Sequence, residues 1–457
     1  MVDIEPVVLT SAQAQDRSAA LGPWLAARGA QAGDRLVLAV SPYRPATGAD
    51  LICAVYGALR HGVIPVVLDP SVSERELYEL IEDADPLAVI ASAPELARAL
   101  GGRPTADPVS TPLGRPMHYT SGTTGRRKGV FGGVLTPDAG AALWEEERAL
   151  WAITADDVHI VMSPLHHSAP LRFALVTLLA GGSVVLPGRF EPGTFAEMCE
   201  NSSPTCAFSA PAQLHRLRAR CLEDAGFARR LRRIVAGFMM LAHAGAPCPE
   251  PVKRWLLSKT EPDRIWEFYG STEGQFTACS GADWLQRPGT VGRARPGRTL
   301  VIGDDGRIWC AVPPYARFSY WNDPVKTAAA WRDTTAGPAF TAGDAGFLDD
   351  DGYLFLHGRR DDLIISGGVN VYPAEVERVL SAVPGVDDVA VFGVPDDRWG
   401  QRVEAAITGT AETAAVMAFA AAELPATRRP KRVHHLEDLP RTSTGKILRR
   451  SLPDILG

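Results

Sequence analysis

The sequence predicts an α/β protein, with a large N-terminal domain of layered sheets and helices, a small β subdomain within it, and a smaller α+β domain at the C-terminus. Three observations predict this. Short apolar runs alternate with helical patterns over the first part of the chain. The texture from about residue 285 turns to glycine, proline and short β-like runs. A charged, glycine-led segment, GRRDD at 358–362, then precedes a fresh helical start in YPAEVERVL.

In chain order, LVLAV at 36–40 reads as a buried strand, the stretch 49–60 has helical spacing, and VIPVVLD at 63–69 reads as the next strand. AVIAS, HIVMS at 159–163 and SVVLP at 183–187 repeat the theme, so the sheets are expected to be largely parallel. The segment TVGRARPGRTLVIGDDGRIWCAVPP suggests a small distorted barrel or sheet within 285–360. The domains are therefore expected to be 1–360 and 361–457, with the boundary at Asp361.

The chain has 457 residues, 46% hydrophobic and 22% charged, with a net charge of −6. No basic excess points to nucleic acid or an anionic membrane as a partner. The N-terminal stretch has no basic leader region, so no secretory signal is expected and the reading is cytoplasmic. The apolar run from Leu171 to Leu186 carries Arg172 and a Gly181-Gly182 break, which argues against membrane insertion. Seven dispersed cysteines form no CxxC pair or zinc spacing and read as buried free thiols.

Four segments carry chemistry. The first is His118-Tyr119-Thr120-Ser121-Gly122-Thr123-Thr124-Gly125-Arg126-Arg127-Lys128-Gly129. Its glycines allow backbone N–H groups to approach an anion, its hydroxyls add donors, and Lys128 adds charge, so it reads as a phosphate cradle; the plainer alternative is a polar turn. It is not the P-loop pattern, which the chain lacks. Only six of the 47 basic residues are lysines, and two of them, Lys128 and Lys446, sit in loops rich in glycine and hydroxyls, where a compact point charge suits phosphate. In Tyr269-Gly270-Ser271-Thr272-Glu273-Gly274 a hydroxyl and a carboxylate sit side by side, suited to a phosphate oxygen and its Mg2+, or to an ordinary helix cap. Asp344, in Thr341-Ala342-Gly343-Asp344, can accept from two ribose hydroxyls or sit in a surface turn.

In this order, with Arg441-Thr442-Ser443-Thr444-Gly445-Lys446 near the end, the segments resemble the ANL superfamily of adenylate-forming enzymes, which includes acyl- and aryl-CoA synthetases. The resemblance runs from about residue 35 to 452 and is closest to fatty-acyl and aryl-CoA ligases. It implies that Thr120, Ser121, Gly122, Thr123, Thr124 and Lys128 hold the phosphates of ATP. It further implies that Gly245, Ala246 and Pro247 form a strand flanking adenine, that Tyr269 stacks on the base, and that Asp344 binds ribose with Arg359 beside it. Thr272 would touch the α-phosphate, Glu273 would support Mg2+, and Lys446 would bridge carboxylate, α-phosphate and ribose. The C-terminal domain would be mobile about the hinge at Asp361, with Gly367-Gly368 lining the thiol tunnel.

The acyl pocket is less legible. The stretch Pro164–Pro170 resembles the one where many acyl-CoA synthetases put an aromatic-His pair at the pocket mouth, with His167 in the histidine position and His166 replacing the aromatic; either can instead cap a helix. Arg172 can pair with a second acidic group of the substrate or face solvent, and Phe208 and Gly270 are candidate pocket residues. Only 117 residues precede the phosphate loop, fewer than the superfamily usually shows, which implies a trimmed outer layer. The expected activity is that of an AMP-forming carboxylic acid–CoA ligase acting on a fatty or aromatic acid, using ATP, Mg2+ and CoA. The alternative is an adenylating enzyme with another acid or acceptor, such as a carrier protein, or nitrite for diazotisation of an aryl amine.

Overall fold

The structure is a computed structural model and describes residues 7–104, 108–120, 127–359, 362–441 and 447–456. At its centre four short, almost wholly buried strands, Val158–Val161, Cys206–Ser209, Met240–His243 and Ile265–Gly270, pair in parallel, with Ser183–Leu186 parallel on the outer side. Continuous apolar runs suit strands covered on both faces, and helices supply that cover. The Ser168–Leu179 helix is one of them; it is apolar nearly all round because it lies inside the main core.

The sheet is not parallel throughout, which departs from the expectation. Val7–Thr10 closes one edge antiparallel, and beyond Ile265–Gly270 the sheet continues antiparallel through Gln275–Ser280, Thr290–Ala294, Tyr353–Arg359 and Asp344–Leu348, making ten strands. The short turn Ser271–Gly274 enforces the first reversal, since a tight turn can join only antiparallel neighbours. The residues expected to form the small β subdomain are thus shared. Three of their strands extend the large sheet, and Thr299–Ile302, Ile308–Ala311, Gly337–Phe340 and Trp331–Thr334 form an antiparallel sheet of their own.

A smaller parallel sheet of Ile64–Val67, Arg35–Leu38 and Ala88–Ile90 packs through the Pro45–Arg60 helix. A three-stranded sheet pairs His118–Thr120 with Lys128–Phe131, and the latter with Ser319–Tyr320. The C-terminal part is α+β: Val369–Val371, Ile364–Ser366, Gly400–Gly409 and Val386–Asp396 pair antiparallel, Arg432–His435 adds in parallel, and the Pro373–Leu380 and Thr413–Glu423 helices pack on the same core. It meets the large sheet where His357 Nδ1 lies 2.7 Å from Glu375 Oε1 and stacks on Tyr372, with centroids 5.0 Å apart. Among the described residues no helix is long and apolar enough to cross a membrane. All seven cysteines are free thiols, five of them buried.

Candidate active site

The parallel strands all end on one side, and the segments singled out in the sequence follow those ends. In open α/β sheets this edge is where ligands bind, because side chains and turn amides there converge on a crevice. Phe208 lies on Cys206–Ser209, Gly245 follows Met240–His243, and Tyr269 and Gly270 end Ile265–Gly270. Gly245, Ala246 and Pro247 are not in a strand, contrary to the expectation; they form the bend after Met240–His243, where Gly245 adopts φ +94°. Ser121, Gly122, Thr123, Thr124, Asp361 and Lys446 lie outside the described residues.

The phosphate-loop segment joins two paired strands, with Thr120 opposite Lys128 in register. Hairpin pairing fixes both ends of the loop, and the third strand brings Tyr320 against Val130 beside it. Lys128 Nζ lies 4.6 Å from the centre of the Tyr320 ring, and the Tyr320 hydroxyl donates to Glu273 Oε1 at 2.8 Å. Glu273 is buried, and the Nη2 of Arg115 donates to its carbonyl oxygen at 3.2 Å. Burial brings Arg115 down to about 10 against the pull of Glu273. Lysine and carboxylate, 145 residues apart in sequence numbering, are therefore tied through one tyrosine.

Thr272 and Glu273 sit in a turn closed by the Ser271 N–H donating to the Gly274 carbonyl at 2.8 Å. Gly270 makes that turn possible. A Cβ there would lie 2.6 Å from the Gly274 oxygen and 2.7 Å from the Gln275 Cα, both backbone atoms. Gly270→Ala is expected to push the turn open, lowering stability by about 1–3 kcal/mol and displacing Thr272 and Glu273. A denaturant midpoint measured beside nucleotide binding checks both consequences; an unchanged midpoint argues against the close approach.

A second cluster forms on the next strands. The Tyr269 hydroxyl donates to Asp344 Oδ2 at 2.6 Å, and Arg359 Nε lies 3.7 Å from Asp344 Oδ1. Burial, followed by the Asp344 charge, raises the Tyr269 phenol well above its usual value, so it remains a donor. Asp344 is half-buried between them, which places the acid expected for ribose beside the ring expected for the base.

His167 occupies the N-cap position of the Ser168–Leu179 helix but makes no side-chain cap bond, so the capping alternative is not realised. The two rings His166 and His167 meet edge-on, with centroids 4.3 Å apart, and His166 Nε2 lies 3.6 Å from Asp69 Oδ2. The His166 carbonyl lies 3.1 Å from His118 Nδ1. Burial, then the neighbouring histidines, drives His167 down to about 3; burial also lowers His166 and brings His118 to about 4. These rings are neutral near pH 7, and His166 Nδ1 and His167 Nε2 have no hydrogen-bond partner.

Arg172 does not simply face solvent. Its Nε lies 3.3 Å from Glu147 Oε2, and its guanidinium sits 5.5 Å from the ring centre of Phe268 and 5.8 Å from that of Phe173. Phe208 is buried against both rings, so it forms a floor.

Sequence reasoning missed Tyr320, Arg115 and the carboxylates Glu146 and Glu147, and it missed a buried pair behind the base site. There Lys253, 1% exposed, donates to Glu267, two residues before Tyr269, and His243 is wholly buried alongside. A signal for Lys253 existed, since it is another of the six lysines and follows Gly245-Ala246-Pro247 closely.

Mg2+ would fit this site. Among the described residues no group of three His, Cys, Asp or Glu side chains could hold a metal ion, but Glu273 offers a buried carboxylate with one oxygen outside the Tyr320 bond. One carboxylate with nucleotide oxygens and waters is a usual set for this ion.

Similarity to known proteins shows the family. A profile described as AMP-binding enzyme matches residues 2–113 and 116–310, and one described as AMP-binding enzyme C-terminal domain matches 375–446. Feruloyl-CoA synthase of an Amycolatopsis species is 32% identical, over 96% of this chain and 92% of its own length. The long-chain-fatty-acid–CoA ligase FadD13 of Mycobacterium tuberculosis is 28% identical, over 94% and 89%. Among solved structures, ATP-bound MatB from Rhodopseudomonas palustris is similar with a TM-score of 0.83 and 29% identity, over 98% of this chain and 94% of that one. The chain belongs to the AMP-binding enzyme family, the ANL superfamily of adenylate-forming ligases, and carries that family's C-terminal domain.

Proposed function

We propose that this enzyme is an AMP-forming acid–CoA ligase that activates a carboxylic acid with ATP. The observation that carries this reading is the pairing of two clusters at one strand edge: Lys128–Tyr320–Glu273, suited to phosphates and a metal, and Tyr269–Asp344–Arg359, suited to a nucleoside. The relatives named for feruloyl and long-chain fatty acids support an acid–thiol ligase, and the ATP-bound relative supports the nucleotide.

In the first step a carboxylate oxygen attacks the α-phosphorus, the bond to the β-phosphate oxygen breaks, and pyrophosphate leaves. Two anions approach each other, so fixed cations and donors must take up the developing charge. Lys128 with Thr120, Ser121, Gly122, Thr123 and Thr124 would take the β- and γ-phosphates, Thr272 the α-phosphate, and Lys446 the attacking carboxylate. Mg2+ held at Glu273 would neutralise phosphate charge. Tyr269 would bind the base between itself and Gly245–Pro247, and Asp344 the ribose. His167, neutral and at the mouth, would orient the acid without adding charge. In the second step the CoA thiolate attacks the acyl carbon and AMP leaves, after a rotation of the C-terminal part about Asp361.

The test is release of AMP and pyrophosphate from ATP with fatty acids, aryl acids, and nitrite plus aryl amines, each with and without CoA. AMP release that requires CoA supports the ligase, whereas CoA-independent turnover with nitrite and amine overturns it. Lys446→Ala is expected to lower adenylation by at least about a hundredfold while CoA attack on preformed adenylate persists. Equal loss in both half-reactions removes Lys446 from the role.

A further inference from the structure

We propose that Arg172 determines substrate choice, selecting short acids that carry a second anionic group at the end remote from the reacting carboxylate. The inference rests on acid adenylation at this site.

Position comes first. Arg172 lies five residues after His167, in the helix whose N-cap position His167 holds, and its guanidinium rests on Phe268, the residue before Tyr269. The floor beneath it is closed. Phe173, Phe208 and Phe268 are 0%, 5% and 7% exposed, and Trp151 packs behind Phe173 and Phe268 at 5.3 and 5.6 Å. An acid that enters past His167 and reaches the guanidinium ends there, because close-packed rings cannot open a deeper channel without losing their contacts. A long aliphatic chain does not fit that geometry.

Charge comes second. Arg172, Arg295 and Arg298 share two carboxylates. Glu146 takes Arg298 at 2.8 and 3.1 Å, Arg295 at 2.8 Å and the Tyr315 hydroxyl at 2.7 Å. Glu147 takes Arg295 at 2.9 Å and the Trp151 indole at 3.3 Å. Arg172 has the ion pair with Glu147 alone, and its Nε and Nη2 are buried without a hydrogen-bond acceptor, as are Nε and Nη2 of Arg295 and Nε of Arg298. The neighbouring His118, His166 and His167 are lowered and add no positive charge, while Arg115 donates to the Glu273 main-chain carbonyl and is raised by that residue's charge. The cluster therefore holds one cation more than it holds anions, and of its three arginines Arg172, 20% exposed against 1% and 5% for Arg295 and Arg298, is the one an incoming anion can reach.

A buried cation with unused donors is costly unless an anion completes it. The side chain is 20% exposed while Nε and Nη2 are themselves covered, so an anion engages them with a shift of the side chain. A guanidinium presents parallel N–H groups that match a carboxylate, sulfonate or phosphonate, and an aromatic floor gives the connecting carbons an apolar bed.

The experiment compares matched acids on the full chain by ATP–pyrophosphate exchange: propanoate with malonate, butanoate with succinate, and pentanoate with glutarate. At least one dicarboxylate is expected to exceed its monocarboxylate partner in kcat/KM by about ten- to a hundredfold. In Arg172→Leu that ratio falls to near one, and Arg172→Lys restores part of it. A merely structural role would lower both acids alike and leave the ratio unchanged, which overturns the proposal. So does a wild-type enzyme that uses monocarboxylates, or long-chain acids, at least as well. Exchange with those acids but without an anionic preference defeats this inference alone, while exchange with no acid of any kind defeats the adenylation reading as well.

Discussion

Glu273→Gln will lose ATP–pyrophosphate exchange by about a hundred- to a thousandfold while the protein stays folded. The substitution keeps shape and hydrogen bonding: the amide oxygen can still accept from the Tyr320 hydroxyl, and the carbonyl that receives Arg115 belongs to the main chain. What disappears is one negative charge in a buried place, 8% exposed. In such a site a fixed charge acts through a lower effective dielectric than in water, so its removal weakens metal and phosphate binding much more than an exposed carboxylate would. Arg115 also loses the charge that offsets its burial, so a stability loss of about 1–3 kcal/mol accompanies the change. Exchange measured against Mg2+ concentration separates these effects: the variant is expected to need more Mg2+, with a modestly lower unfolding midpoint. Exchange within about threefold of wild type at every Mg2+ concentration would show that Glu273 holds no metal.

The second large effect is acid instability. Burial lowers His159 and His167 to about 3 and His118 and His243 to about 4. In the unfolded chain the same side chains titrate near about 6.5. Between these limits the unfolded chain binds protons that the folded chain refuses, so unfolding takes up protons and is favoured as pH falls. The stability these groups contribute is complete above about pH 6.5 and is lost on the way down to about pH 4. Four such groups give a slope approaching about 5 kcal/mol per pH unit, comparable over one or two units with the whole stability of a typical protein. Urea midpoints at pH 8, 7, 6 and 5 test this, and a flat profile from pH 7 to 5 defeats it. His159→Phe should remove about one proton from the slope, because His159 lies in the core, stacked on Phe173 at 5.9 Å.

Much of this site was legible because its parts are local. The phosphate loop and the Tyr269–Glu273 turn need glycine, hydroxyl and charge within a few residues, and short-range backbone geometry demands those residue types wherever the segment lies. The parallel strands were legible as unbroken apolar runs for a similar reason, since a strand covered on both faces cannot alternate. Glu146 and Glu147 were not legible. They stand in WEEER, which reads as the solvated face of a helix, and neighbouring Glu145 does remain exposed. Only the packing of that helix against Arg295, Arg298 and Tyr315 buries the next two carboxylates. Tyr320 gave no signal either, because its value comes from a strand pairing across nearly two hundred residues.

The sequence by itself determined the order and chemistry of the motifs, the α/β class, and the scarcity of lysine that marked Lys128 and Lys446. Tertiary structure alone decided that the large sheet turns antiparallel after Gly270, that Tyr320 joins Lys128 to Glu273, and that Arg172 sits beside Glu147 on an aromatic floor. The physical reason is range. Turn geometry and strand apolarity are fixed by neighbours along the chain, whereas the surroundings of a charge depend on which distant segments exclude water from it.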